Sequence, residues 1–132
     1  MKMIRFLVLA LAVSFCANTA LAEVGCNQSL VYDASSSGAV KLLSGVSTAR
    51  TFICGYNIWG AGTTTVKLEY GTGTACATGE TALTPAFSVT AQNGPSDSSW
   101  AWRGLTAPPG ADLCINMGSG VAVQAIIYYT QQ

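Results

Sequence analysis

The sequence predicts an all-β domain: a two-sheet antiparallel β-sandwich, jelly-roll-like, of about eight strands and disulfide-linked. Three observations carry this. No 3.6-residue apolar period persists over ten residues once the leader is set aside. Short β-branched and aromatic runs alternate with clusters of Gly, Ser and Pro, the pattern of strands and turns. Beyond the leader stand four cysteines with no histidine and no C-x-x-C pair, which fits bridges rather than a zinc site. An open barrel fits the same pattern, and strand order is not legible.

The first 22 residues read as a cleaved signal peptide. Lys2 and Arg5 give a positive start, Phe6 to Phe15 is apolar except for Ser14, and Ala20-Leu21-Ala22 is a small-x-small cleavage site. The apolar run is shorter than the roughly 20 residues a permanent span requires. Glu23 stands where a lipoprotein site at Val24-Gly25-Cys26 would want a bulky apolar residue. Residues 23–132 then form a single domain of 110 residues, secreted to an extracellular or periplasmic space, with no membrane contact after cleavage.

In chain order, Ser29 to Asp33 alternates as a short strand and breaks at Ala34-Ser35-Ser36-Ser37-Gly38. Ala39 to Leu43 is a second strand, with a turn at Ser44-Gly45. The stretch Thr51 to Cys76 reads as the organising hairpin: Phe52, Cys54, Tyr56 and Ile58 share one face, and Gly60-Ala61-Gly62 turns the chain. Val66, Leu68 and Tyr70 then point inward, with Thr65, Lys67 and Glu69 toward solvent. Gly71 to Gly79 reads as a loop. Its Gly-x-Gly start lacks the lysine and helix of a phosphate-binding loop.

Pro85 to Thr90 opens another strand. Gln92 to Ser99 is a polar loop, and Ser98 to Gly104 carries Trp100-Ala101-Trp102. Ala107-Pro108-Pro109-Gly110 is a rigid turn. Leu113 to Met117 and Val121 to Tyr129 are the last strands; VAVQAIIYY is apolar on both faces except for Gln124, so it belongs in the middle of a sheet or in a subunit interface. Cys26, Cys54, Cys76 and Cys114 allow three pairings. Parity favours Cys26–Cys54, which ties down the N-terminal arm, and Cys76–Cys114, which pins a loop to a strand.

Residues 23–132 carry Lys41, Arg50, Lys67 and Arg103 against Glu23, Asp33, Glu69, Glu80, Asp97 and Asp112, four against six for a net charge of −2. Such a chain offers no basic patch for a phosphate backbone, which argues against a nucleic-acid partner. Its Ser/Thr/Gly surface repels itself less than a charged one and suits assembly. Without histidine or a free thiol, Ser-His and Cys-His catalysis is excluded. A glycan hydrolase needs only two carboxylates about 5–10 Å apart. Glu69, Glu80, Asp97 and Asp112 are the candidates, and each reads as a solvated surface or turn residue. No catalytic residue, metal ligand or cofactor is assigned.

Trp100 and Trp102, two apart in a strand, point to one face about 6.5–7 Å apart. Exposed, they would form a stacking platform for sugars, which Trp59 could join. Filling the core is the first reading, because tryptophan is strongly buried on average, and a subunit interface is the second, ahead of the platform.

The runs Cys54-Gly55-Tyr56, Val66-x-Leu68-x-Tyr70-Gly71-Thr72-Gly73, Cys76-Ala77-Thr78-Gly79 and Ala107 through Asn116, with the ending Tyr128-Tyr129-Thr130-Gln131-Gln132, resemble small four-cysteine β-proteins encoded in bacteriophage and prophage regions. The resemblance covers most of the chain after the leader. It implies a virion-associated or exported surface protein and assigns no site residues. The leading expectation is a non-enzymatic secreted structural or surface-attachment protein that associates with itself or with another surface or virion protein. A carbohydrate-binding module using Trp100, Trp102 and Trp59 is the second, and a small carboxylate-dependent glycan hydrolase the third.

Overall fold

The computed structural model describes residues 25–91, 93–97 and 104–132, less the side chains of Ala34 and Asp97. They form two antiparallel sheets face to face, with no α-helix. The strands are β1 (Gln28–Ser35), β2 (Gly38–Leu43), β3 (Thr51–Gly60), β4 (Thr64–Thr72), β5 (Thr78–Ala82), β6 (Phe87–Val89), β7 (Ser96–Asp97), β8 (Leu105–Ala107), β9 (Asp112–Met117) and β10 (Ala122–Gln131). A 3-10 turn, Thr74–Cys76, follows β4.

The first sheet runs β1-β10-β3, with β7 and β8 end to end along the far edge of β3. The second runs β2-β9-β4, with β5 and β6 sharing the far edge of β4. Ten strands thus occupy eight tracks. The first strand pairs with the last, the second with the next to last, β3 with β7 and β8, and β4 with β5 and β6. That is one long antiparallel ribbon rolled up, which is jelly-roll topology.

This topology corrects the reading of Thr51–Cys76 as a hairpin. β3 and β4 lie in different sheets, so Gly60 to Thr64 carries the chain across the sandwich as an arch. A paired hairpin and an arch have the same alternation; only the choice of hydrogen-bond partner separates them.

A second correction concerns the phase of β3. On β10 the partners step from Tyr128↔Gly55 to Tyr129↔Ile53, so Cys54 is an extra, bulged residue. One extra residue swaps the faces. Tyr56 and Ile58 point inward as expected, but N-terminal to the bulge Ile53 enters the core and Phe52 is only half-buried. The bulge also turns Cys54 to meet Cys26, and the second bridge joins Cys76 to Cys114, the pairings that parity favoured.

The core lies between the sheets. Ile53, Tyr56, Ile58, Val123, Ala125 and Ile127 come from the first sheet, and Val66, Leu68, Val89, Leu113, Ile115 and Met117 from the second. The Tyr56 and Phe87 rings meet across it at 6.2 Å. Tyr70 is half-buried at its margin. β10 occupies the centre of its sheet, as its doubly apolar sequence requires. β5, whose TGETA is exposed throughout, starts inside the expected loop Gly71–Gly79 and continues through residues that the sequence did not mark as a strand: polar, glycine-containing residues form this edge strand because β4 supplies the ladder.

Candidate functional site

Three places gather functional side chains. The first is the outer face of the first sheet. Because Ile58 faces inward, its neighbours Asn57 and Trp59 face outward. The register sets three cross-strand rows there: Asp33–Gln124–Trp59, Val31–Ile126–Asn57 and Ser29–Tyr128–Gly55.

The first row is wired together. The Trp59 indole N–H donates to Gln124 Oε1, and Gln124 Nε2 donates to Asp33 Oδ2 at 2.9 Å. The half-buried indole borders a shallow cavity of about 480 Å³ with Gly60, Ala61, Ala91, Ala122 and Gln124. The small side chains leave that space open. In the next rows Val31 is 75% exposed and Tyr128 39% exposed, with Ile126 half-buried between the flanking strands. A flat aromatic and apolar strip beside an amide and a carboxylate can stack a ring and bond hydroxyls, or bury against another protein surface. Of the three tryptophans proposed as a platform, Trp59 is placed here; Trp100 and Trp102 lie outside the described residues. Gln124 stood out in sequence as the one polar residue of its strand. Val31 and Asp33 were legible as the outward positions of an alternating strand.

The second place is the outer face of the second sheet. Contrary to the expectation of a solvated carboxylate, the Glu69 side chain is fully buried. Its oxygens meet Lys67 Nζ at 2.7 Å and accept from Asn116 Nδ2 at 3.2 Å. Lys67 also binds Glu80, which reaches over from β5. The hydrogen bond to Glu69, then that to Glu80, holds the Lys67 pKa above its ordinary value. The Lys67 hydrogen bond holds Glu80 below the carboxylate range. Glu80 is therefore kept ionised and does not supply the proton-bearing carboxylic acid that glycoside cleavage needs. The backbone of Asp97 pairs with Tyr56, and its side chain lies outside the described residues.

The third place is an open basin of about 690 Å³ lined by Ala39, Val40, Lys41, Gly73, Thr74, Ala75 and Asp112. Asp112 is held there by Lys41 at 3.4 Å and by the Gly45 amide at 2.8 Å. Ala75 and Cys76 adopt left-handed φ of 51° and 61°, a strained turn secured by the Cys76–Cys114 bridge.

Among the described residues no helix is long and apolar enough to cross a membrane. No family model matches the chain, no curated protein matches it, and no solved structure matches it.

Proposed function

We propose that this chain is a secreted, non-enzymatic jelly-roll protein that works by attachment and assembly at a cell or virion surface. The observation that carries the reading is the outer face of the first sheet. There Val31, Ile126, Tyr128 and Trp59 form an apolar strip on a molecule whose described surface is rich in Ser, Thr and Gly. Contiguous exposed apolar surface of this kind marks interaction sites. The carboxylates support the same reading, since Glu69, Glu80 and Asp112 are each held by a lysine. Two disulfides and a leader-like N-terminus support export. The resemblance to phage-encoded four-cysteine proteins supports a virion or prophage context.

The test is adhesion of the purified, exported protein to envelopes of its producing cell, compared with a Val31→Lys/Tyr128→Lys variant. Binding lost in the variant supports the reading; binding unchanged removes the strip from it.

The Trp59–Gln124–Asp33 row favours a second reading, glycan binding. Titrating tryptophan fluorescence with a glycan panel, in the native chain and in Trp59→Ala, separates the two. A saturable shift that disappears in Trp59→Ala establishes the sugar site. Silence with every glycan eliminates it.

A further inference from the structure

Resting on the assembly reading above, we propose that β1 pairs with β1 of a second copy about a two-fold axis through Val31, joining the two first sheets into one. β1 is the edge strand of its sheet, and among the described residues nothing pairs with its outer side. It is eight residues long, has neither proline nor lysine, and carries one charge, Asp33. Edges that must stay unpaired are shortened, bulged or charged. This one is neither short nor bulged, since its register with β10 runs unbroken from Gln28 to Ser35, and its one charge is engaged by Gln124.

Self-pairing fixes the register. Directly opposed residues in an antiparallel pair point to the same side of the sheet, so the two-fold must pass through a residue position. Centring on Asp33 sets two carboxylates face to face, and centring on Tyr32 sets Asp33 against Val31 of the second copy. Centring on Leu30 leaves Val31 opposite Ser29.

Centring on Val31 alone satisfies every outward position. The 75%-exposed Val31 meets its own copy, and the row Ile126–Val31 continues as Val31–Ile126 across the axis. Asp33 stands opposite the Ser29 hydroxyl; Gln124 occupies its Oδ2, which leaves Oδ1 to accept that bond. The two Asp33 side chains are then four residues apart along the strands, about 13–14 Å, beyond the screening length at physiological salt. Leu30 and Tyr32, half-buried on the inner face, also oppose each other.

Opposed Cβ atoms in such a pair lie about 4.5–5.5 Å apart, close enough for a small adjustment to bring thiols together. The experiment is therefore Val31→Cys, with Val46→Cys, exposed elsewhere, as control. Both are purified as exported full-length protein and mildly oxidised, and the bridges are mapped by mass spectrometry. The expected result is a covalent dimer linked through residue 31 and none through residue 46, together with a dimer of the native chain in sedimentation that dissociates in Val31→Lys. A dimer that persists in Val31→Lys without a residue-31 crosslink overturns this interface but leaves association intact. A native chain that is monomeric yet still adheres to envelopes overturns the dimer and leaves attachment standing. A chain that neither associates nor adheres overturns both.

Discussion

Glu69 is a charge that the fold has taken out of water, and its cost is offset only while its partners stay in place. Lys67 and Asn116, directly opposed on β4 and β9, hold it from two sides. Removing one partner of a buried pair leaves an uncompensated charge, whereas removing both costs less. Lys67→Met should therefore destabilise the fold by about 1–3 kcal/mol, below the range for wholly buried pairs because Lys67 is partly exposed. Lys67→Met/Glu69→Leu should recover most of that loss in urea unfolding. The same cluster sets a pH dependence. Lys67 is raised above 10.5, so its contribution is complete below that value and is lost as pH climbs through the folded-state pKa. Glu80 is lowered below 4.5, so its contribution is present above that value and is lost as pH falls through the folded-state pKa. The melting temperature should be flat between these limits and decline outside them. Both declines should be shallower in Lys67→Met.

The element that misled simple alternation is β3, and it can be interrogated by paired substitutions. If the bulge at Cys54 sets the phase, Ile53→Thr places a hydroxyl in the core and should cost about 2–4 kcal/mol, while Phe52→Thr should cost clearly less. Equal costs, or the reverse order, in chemical denaturation would show that β3 keeps an unbroken phase. This strand also shows what a sequence can and cannot disclose. The inward set Tyr56, Ile58, Val66 and Leu68 was legible because period two reports which face of a strand is apolar. The bulge was not, because two adjacent apolar residues, Phe52 and Ile53, satisfy either phase. The partner of β3 was not legible either, since an arch and a hairpin share one pattern. β5 escaped notice because an exposed edge strand buries no side chain to betray it. Among site residues, Asp33, Val31 and Gln124 could be placed on faces from sequence, but their assembly into adjoining rows required the β1-β10-β3 order.

At the scale of the whole molecule, the two disulfides differ in what they hold. Cys26–Cys54 closes 28 residues and Cys76–Cys114 closes 38. Loop-closure entropy grows only with the logarithm of length, so restriction of the unfolded chain stabilises by about 3.5–4 kcal/mol in either case. On that ground alone the bridges are interchangeable. The native structure separates them. Cys26–Cys54 fastens the arm ahead of β1 to the bulge of β3, at the margin of the first sheet. Cys114 is opposed to Glu69 on the outer face of the second sheet, so Cys76–Cys114 holds the strained 3-10 turn against the strand beside the buried carboxylate. Its loss both lengthens the unfolded chain's reach and loosens the cover over a charge. Cys76→Ser/Cys114→Ser should therefore unfold at clearly lower denaturant than Cys26→Ser/Cys54→Ser, by more than the small difference in loop-closure entropy accounts for. It should also take up water at Glu69, seen as faster amide exchange in β4 and β9, whereas the other pair should speed exchange at β1 and the start of β3. Equal midpoints with exchange confined to the termini in both variants would mean that the bridges act on the unfolded chain alone.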